Sequence, residues 1–270
     1  MIKTLIGLIL LIFPFLFIIK FKEGKQGFLY TISLLISFHL VIAMLTQALH
    51  IFTYGVILTI NLLVSFIVII KTNFKELINR LKEKITKIDW VLILVIFILF
   101  IELFSVHYNY TGKITLVTEP TYREVKNMEY VYPYFSDEWY AVSLIEYSIN
   151  SNSLPLKNPL QDKTFLNLEL PFHSFISEIM LLLDLRPLTQ YSILALFSGL
   201  LICLLVYFFL IFNKVQKLPA AITILFVPYI VNGATLPGVW YLLPITMGII
   251  SILLSFFFMS SNNNFHMFIN

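Results

Sequence analysis

The chain has 270 residues, 59% of them hydrophobic and 12% charged, with 26 Phe and a formal net charge of +3; its mean hydropathy is +0.89. Soluble domains carry about 25% charged and about 45–50% apolar residues, so this balance excludes a soluble globule, a disordered chain and a disulfide scaffold, and the single Cys203 has no partner in the chain. A charge of +3 is too small to point to nucleic acid; where the charges lie matters more, because in a membrane protein their placement sets orientation.

A bilayer core about 30 Å thick takes about 20 mostly apolar residues per helix. Segments of this kind run from about Thr4 to Ile19, Phe28 to Ala48, Thr53 to Ile70 and Trp90 to Val106. Others run from about Leu170 to Leu183, Leu188 to Phe212, Ala220 to Val231 and Val239 to Met259. The fifth and seventh are short and interrupted by Pro171 and Pro228. The first has Lys3 ahead of its apolar stretch, as a signal peptide would, but it lacks a small-x-small cleavage site and runs into Lys20, Lys22 and Lys25, so a retained helix is expected. The fold class predicted is all-α: a polytopic transmembrane helix bundle of about seven to eight apolar segments with one large extracytoplasmic loop. Its expected divisions are a three-helix membrane segment over 1–70, a basic amphipathic helix over 71–89, a membrane core over 90–259 that includes the outer loop 107–169, and a polar tail over 260–270.

Lys71, Lys75, Arg80, Lys82, Lys84 and Lys87 crowd one short connection and place it in the cytoplasm. Phe74, Leu77, Ile78, Leu81, Ile85 and Ile88 recur in it at helical spacing, which predicts an amphipathic helix on the anionic inner leaflet, with membrane lipid as its partner. Counting back puts the N-terminus outside the cytoplasm, and counting forward puts residues 107–169 there too, in a multi-pass protein of the cell membrane. Beyond residue 170 two topologies stand. Lys214 and Lys217 prefer the cytoplasm, which requires Leu170–Leu183 to be re-entrant or interfacial; if that segment spans, both lysines lie outside.

The outer loop is rich in tyrosine, and near its middle stands Tyr134-Phe135-Ser136-Asp137-Glu138-Trp139-Tyr140. From Asp137 to about Ile149 the pattern is helical, with Ser136 as N-cap. Acids in a first turn complement the helix dipole, and that alone accounts for many Asp-Glu pairs. Here the pair also sits among aromatic side chains on the outer membrane face, ahead of Leu170-Pro171-Phe172-His173 where the chain returns to the bilayer. A carboxylate so placed suits general-base work on a hydroxyl, with Tyr and Trp faces to stack a sugar.

Asp137-Glu138-x-Tyr140-Ala141, a helix ending near Asn150, Leu154-Pro155 and Leu170-Pro171-Phe172-His173 together resemble the first outer loop of GT-C-fold glycosyltransferases, in particular the protein O-mannosyltransferase and lipid A aminoarabinose transferase types. The resemblance covers about Trp90 to Met259. It implies an inverting membrane glycosyltransferase that moves a sugar from a polyprenyl-phosphate donor to an extracytoplasmic glycan, lipid or protein acceptor. Asp137 would be the catalytic base, and Glu138 would position the acceptor or a divalent metal, the only cofactor the resemblance leaves open. Tyr134, Trp139, Tyr140, His173 and Arg186 would shape the substrate site. The leaving phosphate needs a cation, for which Arg123, Lys126, Lys157, Lys163 and Arg186 are candidates.

The sequence departs from the family pattern in several places. The arginine usual after the break in the next helix falls early, at Arg186, and Leu170-Pro171-Phe172-His173 only approximates the usual proline string. Three helices precede the usual first one. Family members are longer, which implies a fragment cut near 260–270 or a reduced protein. The alternative is a non-catalytic membrane protein: a transporter, or an inactive or fragmentary assembly partner. For a transporter the clearest mid-span charge is Glu102, near the outer end of its helix. His39 and His50 read as residues facing a neighbouring helix or the interface. His107 and His173 have no recognised ligand spacing with Asp137, so no metal site is assigned.

Overall fold

The computed structural model describes residues 2–16, 24–71, 89–108, 115–118, 121–124, 136–159, 163–230 and 240–261. The basic amphipathic segment expected over 71–89 and the polar tail expected over 260–270 fall almost wholly outside them, and Tyr134 and Lys126 lie outside them too.

Among the described residues the chain is mostly helical. The helices are α1 (Ile2–Leu16), α2 (Gly24–Ala48), α3 (Tyr54–Lys71), α4 (Trp90–Tyr108), α5 (Ser136–Ser151), α6 (Leu170–Leu182), α7 (Pro187–Phe212), α8 (Lys217–Leu225), α9 (Val227–Ile230) and α10 (Pro244–Ser261). Two short antiparallel hairpins interrupt them. One pairs β1 (Thr115–Thr118) with β2 (Thr121–Glu124), and the other pairs β3 (Lys157–Asn158) with β4 (Lys163–Thr164).

Among the described residues two helices are long and apolar enough to cross a membrane, Leu29–Ala48 within α2 and Pro187–Phe212, which is α7. The 26 residues of α7 measure about 39 Å at 1.5 Å per residue. The 13 residues of α6 measure only about 20 Å, and most of that helix is buried within the protein. Pro228 explains why the segment from Ala220 onward is not one helix. Proline has no amide to donate, and its ring would clash with the carbonyl four residues earlier in a continuous helix; the chain breaks at Phe226 into α8 and the short α9, with Pro228 in the first turn of α9. On α1, α3 and α4 large apolar side chains face outward: Leu5 and Ile9, Leu63 and Phe66, Leu94 and Phe97 are each more than half exposed.

The chain divides into two units. The first takes residues 1–90, 143–185 and 254–270 and is built on α1, α2, α3 and α6, which pack on one another. Ile42, Phe52, Ile57 and Leu182 form a core cluster where residues 49–53 turn α2 into α3. At the same end Lys3 lies 3.8 Å from Asp184 and over the Tyr54 ring. Gly7 of α1 packs directly on the Leu182 carbonyl. Helix α6 therefore runs alongside α2 in the same direction, and α1 runs opposite to both. The helices end alike. His50, Asp184 and Lys214 have positive φ, and the amides of Ile51, Leu185 and Val215 reach back to the carbonyls of Thr46, Met180 and Leu210. This is the six-to-one closure that satisfies the last carbonyls of a helix.

The second unit takes residues 91–142 and 186–253. In it α7, α8 and α9 pack together. Cys203 of α7 is buried as a free thiol.

Small residues let apolar helices approach closely, and at Gly7 a methyl group would run into the Leu182 carbonyl. Gly7→Ala is expected to lower stability by about 1–3 kcal/mol through overpacking, read as a fall in the thermal unfolding midpoint in detergent micelles. An unchanged midpoint would mean that α1 does not seat against α6 at this point.

Candidate functional site

Helix α5 begins at Ser136, so the acidic pair occupies its first turn, as the sequence pattern predicts. The two carboxylates then diverge. Glu138 starts a buried stripe that continues through Ala141, Val142, Ile145 and Ser148, the spacing of a helix face turned inward. Its side chain is fully buried, and Oε1 accepts the Leu242 amide hydrogen at 2.8 Å. Asp137 is exposed.

Around Leu242 the second unit is tied together by polar contacts. The Tyr191 hydroxyl, from the buried face of α7, donates to the Leu242 carbonyl. Trp240 Nε1 donates to the Pro228 carbonyl at 2.5 Å. Thr246, in the first turn of α10, accepts the Leu243 amide at 3.0 Å and donates to the Tyr241 carbonyl at 2.8 Å, a local closure of the kind seen in capping boxes. Residues 240–243 are therefore fixed from three directions, and Glu138 joins α5 to them. Asp137 is carried on that same first turn.

Trp139 and Tyr140 are half-buried. At 3.6 residues per turn Tyr140 lies on the same side of α5 as Asp137, whereas Trp139 is turned about 200° away from it. Arg186, the N-cap residue of α7, is exposed, and its amide is held by Gln190 Oε1 at 2.8 Å. Glu102, the acid of α4, takes a hydrogen bond from the Tyr229 hydroxyl.

His173 belongs to the first unit. It is buried in the first turns of α6, where Pro171 is tolerated because early helix amides have no intrahelical partner. Asn167 organises this entry. Its Nδ2 lies 2.9 Å from the Pro155 carbonyl and 3.2 Å from His173 Nδ1, and its Oδ1 accepts the Glu169 amide at 3.0 Å. Because the Asn167 amide donates, His173 Nδ1 accepts, which leaves the ring proton on Nε2, 3.9 Å from Glu169 Oε2. His173 is thus engaged with the loop that precedes its own helix.

Among the described residues no three His, Cys, Asp or Glu side chains come together as a metal cluster. Asp137 and Glu138 do not form a chelating pair either, because Glu138 is turned inward onto Leu242. The role expected for Glu138, holding an acceptor or a divalent metal, does not fit a carboxylate with no exposed surface. Its geometry is that of a structural anchor for Leu242.

Sequence reasoning overlooked one acid. Glu178 of α6 is fully buried and lies 2.9 Å from His39 Nδ1 on α2. The signal was there to be found: a single carboxylate inside the apolar run Phe175-Ile176-Ser177-Glu178-Ile179-Met180, which in lipid surroundings marks a paired or functional site. Comparison with protein families, with curated proteins and with solved structures returned no match.

Glu138→Ala leaves the buried Leu242 amide without an acceptor and is expected to cost about 1–3 kcal/mol, whereas Glu138→Gln keeps an acceptor oxygen and costs less. Tyr191→Phe, which removes a single donor, is expected to cost about 0.5–1.5 kcal/mol. Thermal unfolding of the three variants side by side tests this order.

Proposed function

We propose that the chain is a polytopic membrane glycosyltransferase of the GT-C type, transferring a sugar from a polyprenyl-phosphate donor to an extracytoplasmic acceptor with Asp137 as the catalytic base. The observation that carries this reading is the divergence of the acidic pair: Asp137 is exposed while its neighbour is buried and fixed to Leu242. A general base needs an accessible carboxylate on a rigid support, and the first turn of α5 supplies both.

In this mechanism Asp137 takes the proton of the acceptor hydroxyl. The oxygen forms its bond to the anomeric carbon from the face opposite the phosphate, so the configuration inverts. The bond to the phosphate oxygen breaks, and polyprenyl phosphate leaves with the electron pair. Tyr140, one turn from Asp137 on the same side, stacks on the sugar. Arg186 is the described cation best suited to the leaving phosphate, being exposed and always charged. Glu138 holds the support and touches no substrate, and His173 takes no chemical step. Trp139 lines the support, and Tyr134 keeps the role that the resemblance implies.

Further spans belong to the same proposal. The outward apolar faces of α1, α3 and α4 suit contact with acyl chains, and the basic connection 71–89 keeps its cytoplasmic side. With the N-terminus outside the cytoplasm, Asp184 beside Lys3 lies on the outer side as well. Helix α7 then crosses inward, α6 is re-entrant, and Lys214 and Lys217 reach the cytoplasm as the charge rule prefers. The second reading, a transporter without sugar-transfer activity, is favoured by the buried His39–Glu178 pair.

The test is sugar transfer in membranes containing the chain, from labelled polyprenyl-phosphate sugars. Asp137→Asn is expected to lower the rate by about 10²–10⁴-fold while the protein inserts normally. Equal rates in the two proteins would remove Asp137 from the chemistry, and a chain inactive with every donor offered would favour the transporter reading.

A further inference from the structure

The interior of the α1–α2–α3–α6 unit holds more polar atoms than its own hydrogen bonds use. His39 stands near the middle of the membrane-length stretch Leu29–Ala48. Its Nδ1 meets Glu178 Oε1 at 2.9 Å, with both side chains fully buried. The remaining atoms of the pair, His39 Nε2 and Glu178 Oε2, have no hydrogen-bond partner among the described residues, and neither have Asn61 Oδ1, Ser65 Oγ and Ser174 Oγ. All five side chains are buried.

These residues occupy adjoining levels of the unit. Ile42, Ile57 and Leu182 share the core cluster at the end where α2 turns into α3. Away from that end, His39 precedes Ile42 by one turn, Asn61 follows Ile57 by one turn and Glu178 precedes Leu182 by one turn. Ser65 and Ser174 come one turn further along α3 and α6. From α1 the level receives the Phe15 ring, 6.0 Å from the His39 ring. The charged group of α1, Lys3, lies at the other end beside Asp184.

The unused atoms share a chemistry. If the His39 Nδ1 hydrogen is donated to the carboxylate, the neutral ring leaves a lone pair at Nε2. The Asn61 amide nitrogen already donates to the Ile57 carbonyl at 3.0 Å, so its oxygen is what remains. Neither Ser65 nor Ser174 bonds back to its helix, unlike Ser177, which donates to the His173 carbonyl at 2.7 Å. A carboxylate oxygen, an amide oxygen, the Ser174 hydroxyl and an imine nitrogen form a set dominated by acceptors around one negative charge, whereas Ser65 lines the groove between α1 and α3 with Leu10 and Phe13. Such a charge is costly in an apolar interior unless something neutralises it.

We propose that this level is a binding site for a small monovalent cation of the sodium type. Glu178 Oε2 supplies the neutralising charge, Asn61 Oδ1 and the Ser174 hydroxyl supply neutral oxygen ligands, and His39 is the positioning residue that holds the carboxylate through its other oxygen. Hard oxygen ligands suit alkali and alkaline-earth ions, and a single carboxylate balances one positive charge, whereas a divalent ion would leave a net charge inside the protein. The site is independent of the sugar-transfer reading, because none of its ligands serves in that reaction.

The experiment is thermal unfolding of the full chain in lipid nanodiscs, comparing sodium chloride with choline chloride at equal ionic strength and fixed pH. A cation bound by the folded state raises the midpoint with a saturating dependence on concentration. The wild type is expected to show that rise and Glu178→Gln to lose it. Asn61→Ala is expected to raise the half-saturating sodium concentration by about tenfold, the equivalent of about 1.4 kcal/mol. Asp184→Asn, which alters an acid of the same unit at the opposite end of α1, should leave the response unchanged. Should Glu178→Gln fail to fold, Asn61→Ala and Ser174→Ala carry the test through their half-saturating concentrations. Identical midpoints in sodium and choline, or a sodium response that survives in Glu178→Gln, would overturn the proposal. So would a midpoint that follows pH and ignores sodium, which would assign the pair to a proton.

Discussion

A chain with this much apolar surface has to satisfy its polar groups internally, because neither lipid nor an apolar neighbour offers hydrogen bonds. The helix ends show the rule at the backbone level: three of them close with the same six-to-one bond and accept a positive φ on His50, Asp184 and Lys214 to do so. A left-handed conformation costs a non-glycine residue about 1–2 kcal/mol, so closing the last carbonyls outweighs that strain at each site. The same rule sends the hydroxyls of Thr31, Thr46 and Ser177 back to carbonyls one turn earlier.

In the second unit this constraint produces rigidity. Residues 240–243 have no helix of their own, so their amides and carbonyls take partners from Glu138, Tyr191 and Thr246. Burying a carboxylate is costly, and Glu138 recovers part of that cost by accepting a backbone amide, a charge-assisted bond stronger than a neutral one. One residue earlier on the same turn, Asp137 remains accessible. Two adjacent acids thus differ in environment alone: one is buried and bonded to the backbone, and the other is exposed.

In the first unit the constraint is met only in part. Gly7 lets α1 close on α6, and Ile42, Phe52, Ile57 and Leu182 fill one end. One turn away the apolar packing gives way to the buried His39–Glu178 pair, and on α3 the buried Asn61 follows Ile57 by one turn. Buried polar groups are almost always paired. Among the described residues the second atoms of the His39–Glu178 pair and the Asn61 amide oxygen have no such partner.

Composition and hydropathy were enough to read the helical class, the acid pair in the first turn of α5 and the break at Pro228, whereas of the seven to eight apolar spans expected, two described helices are long enough to cross a membrane. Each of these rests on a local property: apolar run length, the helix dipole, or a missing amide. The environments of the acids were not legible. Asp137 and Glu138 are neighbours in sequence with the same charge, and only the position of Leu242, more than a hundred residues away, makes one of them an anchor. Nor does any spacing rule connect His39 to Glu178 across 139 residues, because which faces of α2 and α6 meet belongs to tertiary packing such as that of Ile42 with Leu182. The sequence by itself determined that this chain is built of apolar helices and where its acids lie along them. The tertiary structure decided which of those acids are exposed, which are anchored and which are paired, because burial and partnership belong to surfaces assembled from distant parts of the chain.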